Sequence, residues 1–269
     1  MYPRVYGHQS LPLAIAHRGG AGLAPENTLA AFRLSYALGV RYMETDVRLS
    51  ADGALVAFHD SSLRRVTGRR RSVARTDLAD LRGFSVMGTQ PIPTLAEVLV
   101  AFPDAFFSID VKERAAIAPL ARLLLSHRAT ARVCVAGSWD SWLASLGDLA
   151  GTELTAALGW RSLVSTLSRL RLGRSPQPQP PGTFAHVPLR LGRIAIYADH
   201  LLERAHAIGV RVIVWTVNDA PTMQRLLDAG VDGIITDRPD ILREVMIARR
   251  QWPPPESYDA SMTVSDLVS

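Results

Sequence analysis

Short apolar runs rich in β-forming residues alternate with longer stretches of helical periodicity along the whole chain. This alternation is typical of βα units, in which each strand is followed by a helix that covers a parallel sheet. It predicts an α/β fold and leaves two architectures open: a closed (β/α)8 barrel and a doubly wound sheet. The 269 residues suffice for a (β/α)8 barrel, which typically uses about 250.

The strand count favours the barrel. Nine segments qualify as strands, but the turn signal at 51–53 predicts that the third is an antiparallel addition at the barrel mouth. Removing it leaves the eight strands of a TIM (β/α)8 barrel. The nine segments are 13–17, 42–48, 54–59, 105–112, 132–136, 154–158, 184–188, 211–217 and 233–236.

The βα pattern also predicts how the chain is divided. We expect the barrel to span 13–248, with an N-terminal extension at 1–12. Residues 61–90 lack strong periodicity, which indicates a small insertion after the second barrel strand. Residues 175–181 form a proline-rich linker in a loop, and the polar tail 249–269 is predicted to be disordered.

Helix starts can be read from capping signals. Thr94 and Glu97 have the spacing of a capping box. Asp219 stands close before a proline, and Asp237 does so before Pro239, so both carboxylates are predicted to cap helices.

Composition excludes several classes of protein. Hydrophobic residues make up 48% and charged residues 20%, so the chain can bury a full core. No apolar stretch approaches the roughly 20 residues that a membrane span requires. Cys134 is the only cysteine, which excludes an intrachain disulfide and a thiolate metal cluster and favours a core position. Residues 1–12 lack the apolar segment of a secretory signal, so we expect a cytoplasmic protein.

Two histidines are predicted at strand ends. His17 is followed by Arg18 and two glycines, so an imidazole, a guanidinium and exposed amides meet at one strand tip, an arrangement that suits an anion. His59 ends the added strand and precedes Asp60. Two histidines over a bound anion can act as general base and general acid, each contributing roughly 10² to 10⁴ in rate. The net charge of +5 agrees with an anionic partner.

Three carboxylates are predicted on the barrel interior. Glu44 and Asp46 are two residues apart in one strand, so both point the same way, and Asp110 and Lys112 repeat that spacing in another. Neighbouring desolvated carboxylates repel, and a bound cation between them is the simplest resolution. Oxygen ligands without cysteine suit Mg²⁺ or Ca²⁺. A buried ion pair of aspartate with Lys112, the only lysine, is the alternative.

Other polar and aromatic residues carry weaker signals. Glu26 and Asn27 either cap a helix or support the site, since they directly precede a helix start. Trp215 lies near a strand end, where it is either core or a wall for a ligand. The remaining histidines are predicted to be structural: His8, His127, His186, His200 and His206.

Together these residues resemble the glycerophosphodiester phosphodiesterase family. Seven short motifs occur in the family's usual order between Leu13 and Val245, and their joint occurrence is highly specific. The motifs are HRGG at 17–20, PENT at 25–28, ETD at 44–46, HD at 59–60, PTL at 93–95, WTVN at 215–218 and GVDGIITDRP at 230–239.

The resemblance implies a TIM barrel whose insertion lies at 61–90, and hydrolysis of glycerophosphodiesters to an alcohol and sn-glycerol 3-phosphate with a divalent ion. Asp110 stands where the family commonly has glutamate, and its shorter side chain could alter ion choice. We further expect Glu26 and Asn27 to support the site and Trp215 to contact substrate. By position, Glu44, Asp46 and Asp110 would ligate the ion, His17 and His59 would form the acid–base pair, and Arg18 and Lys112 would hold the phosphate.

Three alternatives are kept beside this interpretation. The basic amphipathic segment 160–174 could rest on an anionic membrane, as in a lysophospholipase D, or be an ordinary barrel helix. A non-catalytic sensor of phosphate ligands is disfavoured because the whole set of acid, base and carboxylate groups is retained. Nucleic-acid binding through the arginines of 64–75 is not expected, since no recognition fold or interleaved aromatic residues accompany them.

Overall fold

The structure, a computed structural model, describes residues 5–10, 12–173, 183–191, 194–195 and 201–253. The predicted linker 175–181, His200 and most of the predicted tail lie outside the described residues. The strands are β1 Leu13–Ala16, β2 Tyr42–Leu49, β3 Leu55–Ala57, β4 Ser85–Val86, β5 Gln90–Pro91, β6 Phe106–Val111, β7 Val133–Ala136, β8 Thr155–Ala156, β9 Thr183–Pro188, β10 Arg190–Leu191, β11 Ile194–Ala195, β12 Val210–Trp215 and β13 Gly233–Thr236.

Eight parallel strands form the barrel. Their order is β8-β7-β6-β2-β1-β13-β12-β9, and a parallel bridge between Ala157 and Phe184 joins the two ends of this row. Each barrel strand therefore lies beside the next one along the chain, and the prediction of a TIM barrel is confirmed. The added strand β3 pairs antiparallel with β2, as the turn signal predicts.

Helices cover the outside of the barrel, except for two short helices, α2 and α3, that belong to the insertion. They are α1 Leu29–Ala37, α2 Arg64–Thr67, α3 Leu78–Arg82, α4 Leu95–Ala101, α5 Ile117–Ser126, α6 Asp140–Ala150, α7 Trp160–Arg171, α8 Leu201–Ala207, α9 Ala220–Ala229 and α10 Pro239–Ala248. The Thr94 capping box is present, and the Asp219 carboxylate caps α9. The prediction that Asp237 caps α10 is wrong: the N-cap residue is Arg238, because the Asp237 carboxylate bonds to side chains of the site instead.

Alternating side chains fill the barrel from its N-terminal end. Tyr6 lies edge-on to Tyr42 and Phe184, with ring centroids 5.2 and 5.3 Å away, and also contacts Phe106. These three partners stand at or near the starts of their strands, so the N-terminal segment closes the bottom of the barrel. Cys134 is buried in the same cluster, as expected. The opposite end stays open for a pocket.

Two predicted additions take definite positions. Within 61–90, the side chains of Leu63, Val66 and Leu81 pack into a small cluster with Phe58, so the insertion has its own core above β3. Helix α7 is a barrel helix, since Leu163 and Leu170 on its apolar face are buried against the sheet. None of the helices in the described ranges is long and apolar enough to cross a membrane.

Candidate active site

A pocket opens at the carboxyl ends of the barrel strands, where barrels of this type carry their sites. Its cavity measures about 270 Å³, and its walls differ in character. Strands β1, β2 and β6, with the residues after β3, supply a charged wall. Strands β7, β8, β12 and β13, with the start of α7, supply a mostly apolar wall. The charged wall consists of His17, Arg18, Glu44, Asp46, His59, Asp110 and Lys112.

His17 is fixed at the end of β1 by a carboxylate. Its Nδ1 lies 2.6 Å from Asp237 Oδ1, and the Asn218 amide donates to Oδ2 of the same carboxylate at 2.8 Å. Burial alone would lower the pKa of His17, but the hydrogen bond to Asp237 and the charge of Glu44 raise it above its usual value. With Nδ1 engaged, Nε2 is left for proton exchange; it lies 3.9 Å from Glu44 Oε2.

Arg18 joins the carboxylates of the charged wall. Its backbone N–H donates to Glu44 Oε2 at 2.8 Å, and its Nη1 donates to Glu26 Oε1 at 2.8 Å. Its Nε lies 3.4 Å from Asp46 Oδ2. The turn that holds Arg18 continues into Gly19, whose φ is +80° and whose missing Cβ leaves room for a ring of α1. Arg18 is thereby held by three carboxylates.

Glu44 and Asp46 are both buried on β2, but their surroundings shift their pKa values in opposite directions. Burial and the charge of Asp46 raise the pKa of Glu44 to about 7. Burial alone would raise the pKa of Asp46 too, but Lys112 and Arg18 lower it below its usual value. Asp46 is therefore ionised, while the negative charge of Glu44 is incompletely compensated by protein groups.

Asp110 and Lys112 form the ion pair that the sequence analysis gives as the alternative to a bound cation. The Lys112 ammonium donates to Asp110 Oδ2 at 2.6 Å and lies 2.9 Å from Asp46 Oδ1. Burial alone would lower the pKa of Lys112, but the two aspartates raise it above its usual value. Lys112 is therefore a charged ammonium that bridges β2 and β6.

His59 is oriented in the same manner as His17. Its Nδ1 lies 2.7 Å from Asp60 Oδ1, and its backbone carbonyl accepts a hydrogen bond from Arg48 at 2.8 Å. Arg65 of α2 donates to Asp60 at 2.7 Å and also to both oxygens of Glu26, at 2.7 Å each. Glu26 holds Arg18, which is predicted to bind phosphate, and Asp60 orients His59, which is predicted to transfer a proton. The Arg65 guanidinium therefore connects the carboxylates that position these two side chains.

Glu26 and Asn27 do not cap α1, whose N-cap is Thr28. Asn27 instead donates from Nδ2 to Asp46 Oδ2 at 2.9 Å and accepts from the Thr45 hydroxyl at 2.8 Å. Capping is thus the wrong interpretation for both residues: Glu26 holds Arg18, and Asn27 holds Asp46. Two residues of the PENT motif therefore position side chains of the charged wall.

The charged wall contains the oxygen donors that a divalent cation prefers. Its carboxylates, however, do not converge on one point. Glu44, Asp46 and Asp110 offer hard oxygen donors, and the raised pKa of Glu44 marks uncompensated negative charge. In the described part of the chain, however, no three acidic, histidine or cysteine side chains surround one point. The Lys112 ammonium stands between Asp46 and Asp110, so an ion on these carboxylates would compete with it.

Several residues of the site escape the sequence analysis. Asp237 lies at the tip of β13, a position that predicts an inward carboxylate as well as a cap. Arg65 stands in a run of arginines that looks solvated. His186, predicted to be structural, lines the pocket from β9, and Ser108 lines it from β6. Trp215 forms part of the apolar wall as proposed, and 37% of it remains exposed.

Known proteins of similar sequence match most of this chain. A protein of Mycobacterium tuberculosis named probable glycerophosphodiester phosphodiesterase 2 is 35% identical over 244 residues, which cover 89% of this chain and 92% of that protein. A lysophospholipase D of Rattus norvegicus is 25% identical over 268 residues, covering 86% of this chain and 85% of its own length.

Solved structures show the same barrel. A phosphodiesterase from Oleispira antarctica in complex with the product sn-glycerol-3-phosphate superposes with a TM-score of 0.73 at 24% identity, covering 90% of this chain and 99% of that chain. A Thermotoga maritima glycerophosphodiester phosphodiesterase gives 0.69 at 24% identity, covering 90% and 100%. The sequence profile described as the Glycerophosphoryl diester phosphodiesterase family matches residues 17–241. The chain therefore belongs to the glycerophosphoryl diester phosphodiesterase family.

Proposed function

We propose that this glycerophosphodiester phosphodiesterase hydrolyses small glycerophosphodiesters of lipid metabolism to an alcohol and sn-glycerol 3-phosphate, using two histidines as base and acid. One observation carries the proposal: His17 and His59, whose Nδ1 atoms are each held by an aspartate, line one pocket with Arg18, Lys112 and three carboxylates. An imidazole oriented by a carboxylate keeps its Nε2 in place for proton transfer.

The proton transfers follow from the surroundings of the two rings. We assign His17 as the base, because Asp237 and Glu44 favour its protonated form and so strengthen it as a proton acceptor. His59 then protonates the leaving alkoxide. In the reverse assignment His59 is the base and His17 the acid. An experiment that varies the leaving group of the substrate distinguishes the two assignments.

Arg18 and Lys112 are assigned to the phosphate. Attack on a phosphodiester adds a second negative charge to the phosphoryl oxygens, which fixed cations in a largely enclosed pocket stabilise. Both side chains are mostly buried and are positioned by carboxylates, so they need little reorganisation when charge develops. Trp215 is assigned to the substrate's carbon skeleton on the apolar wall.

Glycerophosphoryl diester phosphodiesterases generally use a divalent metal ion. We assign Glu44, Asp46 and Asp110 as the residues that hold it here, with Mg²⁺ or Ca²⁺ as the ions that suit oxygen ligands. Such an ion, when bound, supplies positive charge to the phosphoryl oxygens and acidifies an attacking hydroxyl or water. Asn27 keeps the Asp46 carboxylate in place through its 2.9 Å hydrogen bond.

Lysophospholipids are a second candidate substrate, favoured by the rim of the pocket. Trp160 lines the cavity and is 40% exposed, and Trp139, which precedes α6, is 60% exposed. Exposed tryptophans suit the interface between water and lipid. One face of α7 is buried against the barrel through Leu163 and Leu170, so α7 and the residue after it offer a membrane their basic residues together with the exposed Trp160, Val164 and Leu172.

The test is release of glycerol 3-phosphate from glycerophosphocholine and glycerophosphoethanolamine by chelator-treated protein, with Mg²⁺ or Ca²⁺ added back. We expect metal-dependent release that is lost in His17→Ala. No release with any metal would contradict the proposal. Lysophosphatidylcholine in vesicles, with and without phosphatidylglycerol, separates the second candidate: turnover there but not on glycerophosphocholine would replace the first substrate class.

A further inference from the structure

His186 occupies an inward position on β9 that the reaction proposed above does not use. Along this strand Phe184 belongs to the cluster inside the barrel, whereas Ala185 and Val187 face the helices. Strand alternation therefore directs His186 inward, one layer above Phe184 and the Tyr6 ring that contacts it. The imidazole lines the pocket directly above its aromatic floor.

The His186 ring carries an unused hydrogen-bonding atom. Its Nε2 is buried, and no described residue offers it a hydrogen-bond partner. Burial lowers the pKa of His186 to about 4, so the ring is neutral at physiological pH and presents one donor and one acceptor nitrogen. Buried polar atoms are almost always paired in folded proteins, so an orphan in a pocket wall points to a ligand that completes it.

Ser108 repeats this arrangement on β6. It follows Phe106, a second ring that contacts Tyr6, by two residues, and it also lines the pocket. Its hydroxyl oxygen is buried without a hydrogen bond of good geometry, and the Tyr6 hydroxyl is the side-chain group that interacts with it. His186 thus carries an orphaned nitrogen in the layer above the aromatic floor, and the Ser108 hydroxyl beside Tyr6 keeps the capacity for a further hydrogen bond.

The character of the surrounding wall restricts what these groups would bind. The apolar residues that line the pocket include Ala157, Leu158, Leu163 and Ile235, and the charged groups stand on the β1, β2 and β6 side, away from β9. A neutral imidazole in apolar surroundings suits a neutral ligand group rather than a phosphate or an ammonium. In a glycerophosphodiester the neutral polar groups that every substrate shares are the two glycerol hydroxyls.

We propose that His186, assisted by Ser108, is a specificity-determining residue that hydrogen-bonds the terminal hydroxyl of the substrate's glycerol unit, the one farthest from phosphorus. The proposal rests on the proposed function and goes beyond it, because it places glycerol at the floor of the pocket and the departing alcohol toward the rim. The ring reaches the hydroxyl by turning about χ2, a torsion with a broad energy profile in histidine.

The test compares glycerophosphocholine with the phosphocholine ester of propane-1,2-diol, which lacks only the terminal hydroxyl and keeps the one that can attack phosphorus. Both are assayed with wild type, His186→Leu and the matched control His127→Leu, whose histidine lies at the C-terminal end of α5, outside the pocket. We expect wild type and the control to prefer glycerophosphocholine by about 10- to 100-fold in kcat/KM, the range for leaving a buried polar group unpaired. His186→Leu should lose this preference because its kcat/KM falls for glycerophosphocholine and stays unchanged for the analogue.

Other outcomes overturn the proposal. Equal losses on both substrates would mean a structural role, and unchanged discrimination would mean that His186 does not contact the terminal hydroxyl. Thermal unfolding of His186→Leu should match or exceed that of wild type, because the substitution removes an unsatisfied polar atom. If wild type hydrolyses no glycerophosphodiester, the proposed function fails by itself. Calorimetry with glycerol 3-phosphate and propyl phosphate then tests His186 separately, and equal affinity for the two ligands in wild type would refute it.

Discussion

Removal of the Arg65 guanidinium tests whether the insertion positions the groups at the pocket. Arg65 donates to both oxygens of Glu26 at 2.7 Å and to Asp60 at 2.7 and 3.2 Å. Glu26 in turn holds Arg18, and Asp60 holds His59. In Arg65→Met, which keeps the aliphatic bulk, both carboxylates lose their shared partner, so Arg18 and His59 each gain freedom.

The size of the effect follows from exposure. The Arg65 side chain is 46% exposed, so each of its two ion pairs is counted near the surface value of about 0.2–1 kcal/mol rather than as a buried pair. Two pairs together give about 0.4–2 kcal/mol, which corresponds to about 2- to 30-fold in kcat/KM if it is expressed in the transition state. We expect Arg65→Lys to fall between Arg65→Met and wild type, because an ammonium cannot hold two carboxylates with a planar fork.

The assay is steady-state hydrolysis of glycerophosphocholine, with Arg71→Met as the matched control. Arg71 lies in the same insertion and pairs with Asp80 at 3.0 Å, but neither residue contacts the charged wall. Arg71→Met should keep wild-type kinetics and wild-type thermal unfolding. Activity of Arg65→Met within twofold of Arg71→Met would refute the positioning argument, as would an equal loss of activity in both variants.

The other predictions concern single groups of the site. Asp237→Asn should lower kcat by about 100-fold or more while the protein stays folded, because an amide no longer stabilises the protonated His17 ring; stopped assays and circular dichroism measure the two quantities. Glu44→Ala should abolish recovery of activity when Mg²⁺ or Ca²⁺ is returned to chelated protein, and full recovery would overturn the assignment of the metal ligands. His186 titrates near 6.5 when unfolded, but burial lowers its pKa to about 4 in the folded protein. Its contribution to stability is therefore complete above pH 6.5 and is lost as the pH falls toward 4, so denaturant titrations should show wild type losing about 2 kcal/mol more than His186→Leu over that range. Identical pH dependence in the two proteins would contradict this.

Strand periodicity accounts for the part of the site that the sequence predicts. His17 lies at the end of a recognisable strand, Glu44 and Asp46 lie within another, and alternation within a strand decides which side chains face the interior. Their convergence then follows from the parallel barrel, in which all carboxyl ends of strands meet at one face. The same rule directs His186 inward, since it stands within a predicted strand two residues after an aromatic residue.

Long-range pairing accounts for what the sequence does not predict. Asp237 has the spacing of a helix cap, and only the closure of β13 against β1 brings it to His17, 220 residues away. Arg65 is 39 residues from Glu26 and stands among arginines that are solvent-exposed. Local sequence rules favour the capping and solvated interpretations in these cases, because the partners that override them come from distant elements.

The roles of the two histidines are tested most directly by the leaving group. Glycerophosphocholine needs a general acid to release its alcohol, whereas the p-nitrophenyl ester of glycerol 3-phosphate expels a stable phenolate without one. We predict that both His17→Ala and His59→Ala lose glycerophosphocholine hydrolysis, and that His59→Ala alone regains near wild-type kcat on the p-nitrophenyl ester. Recovery in His17→Ala instead would exchange acid and base. Near wild-type turnover of glycerophosphocholine in either variant would contradict acid–base catalysis by this pair.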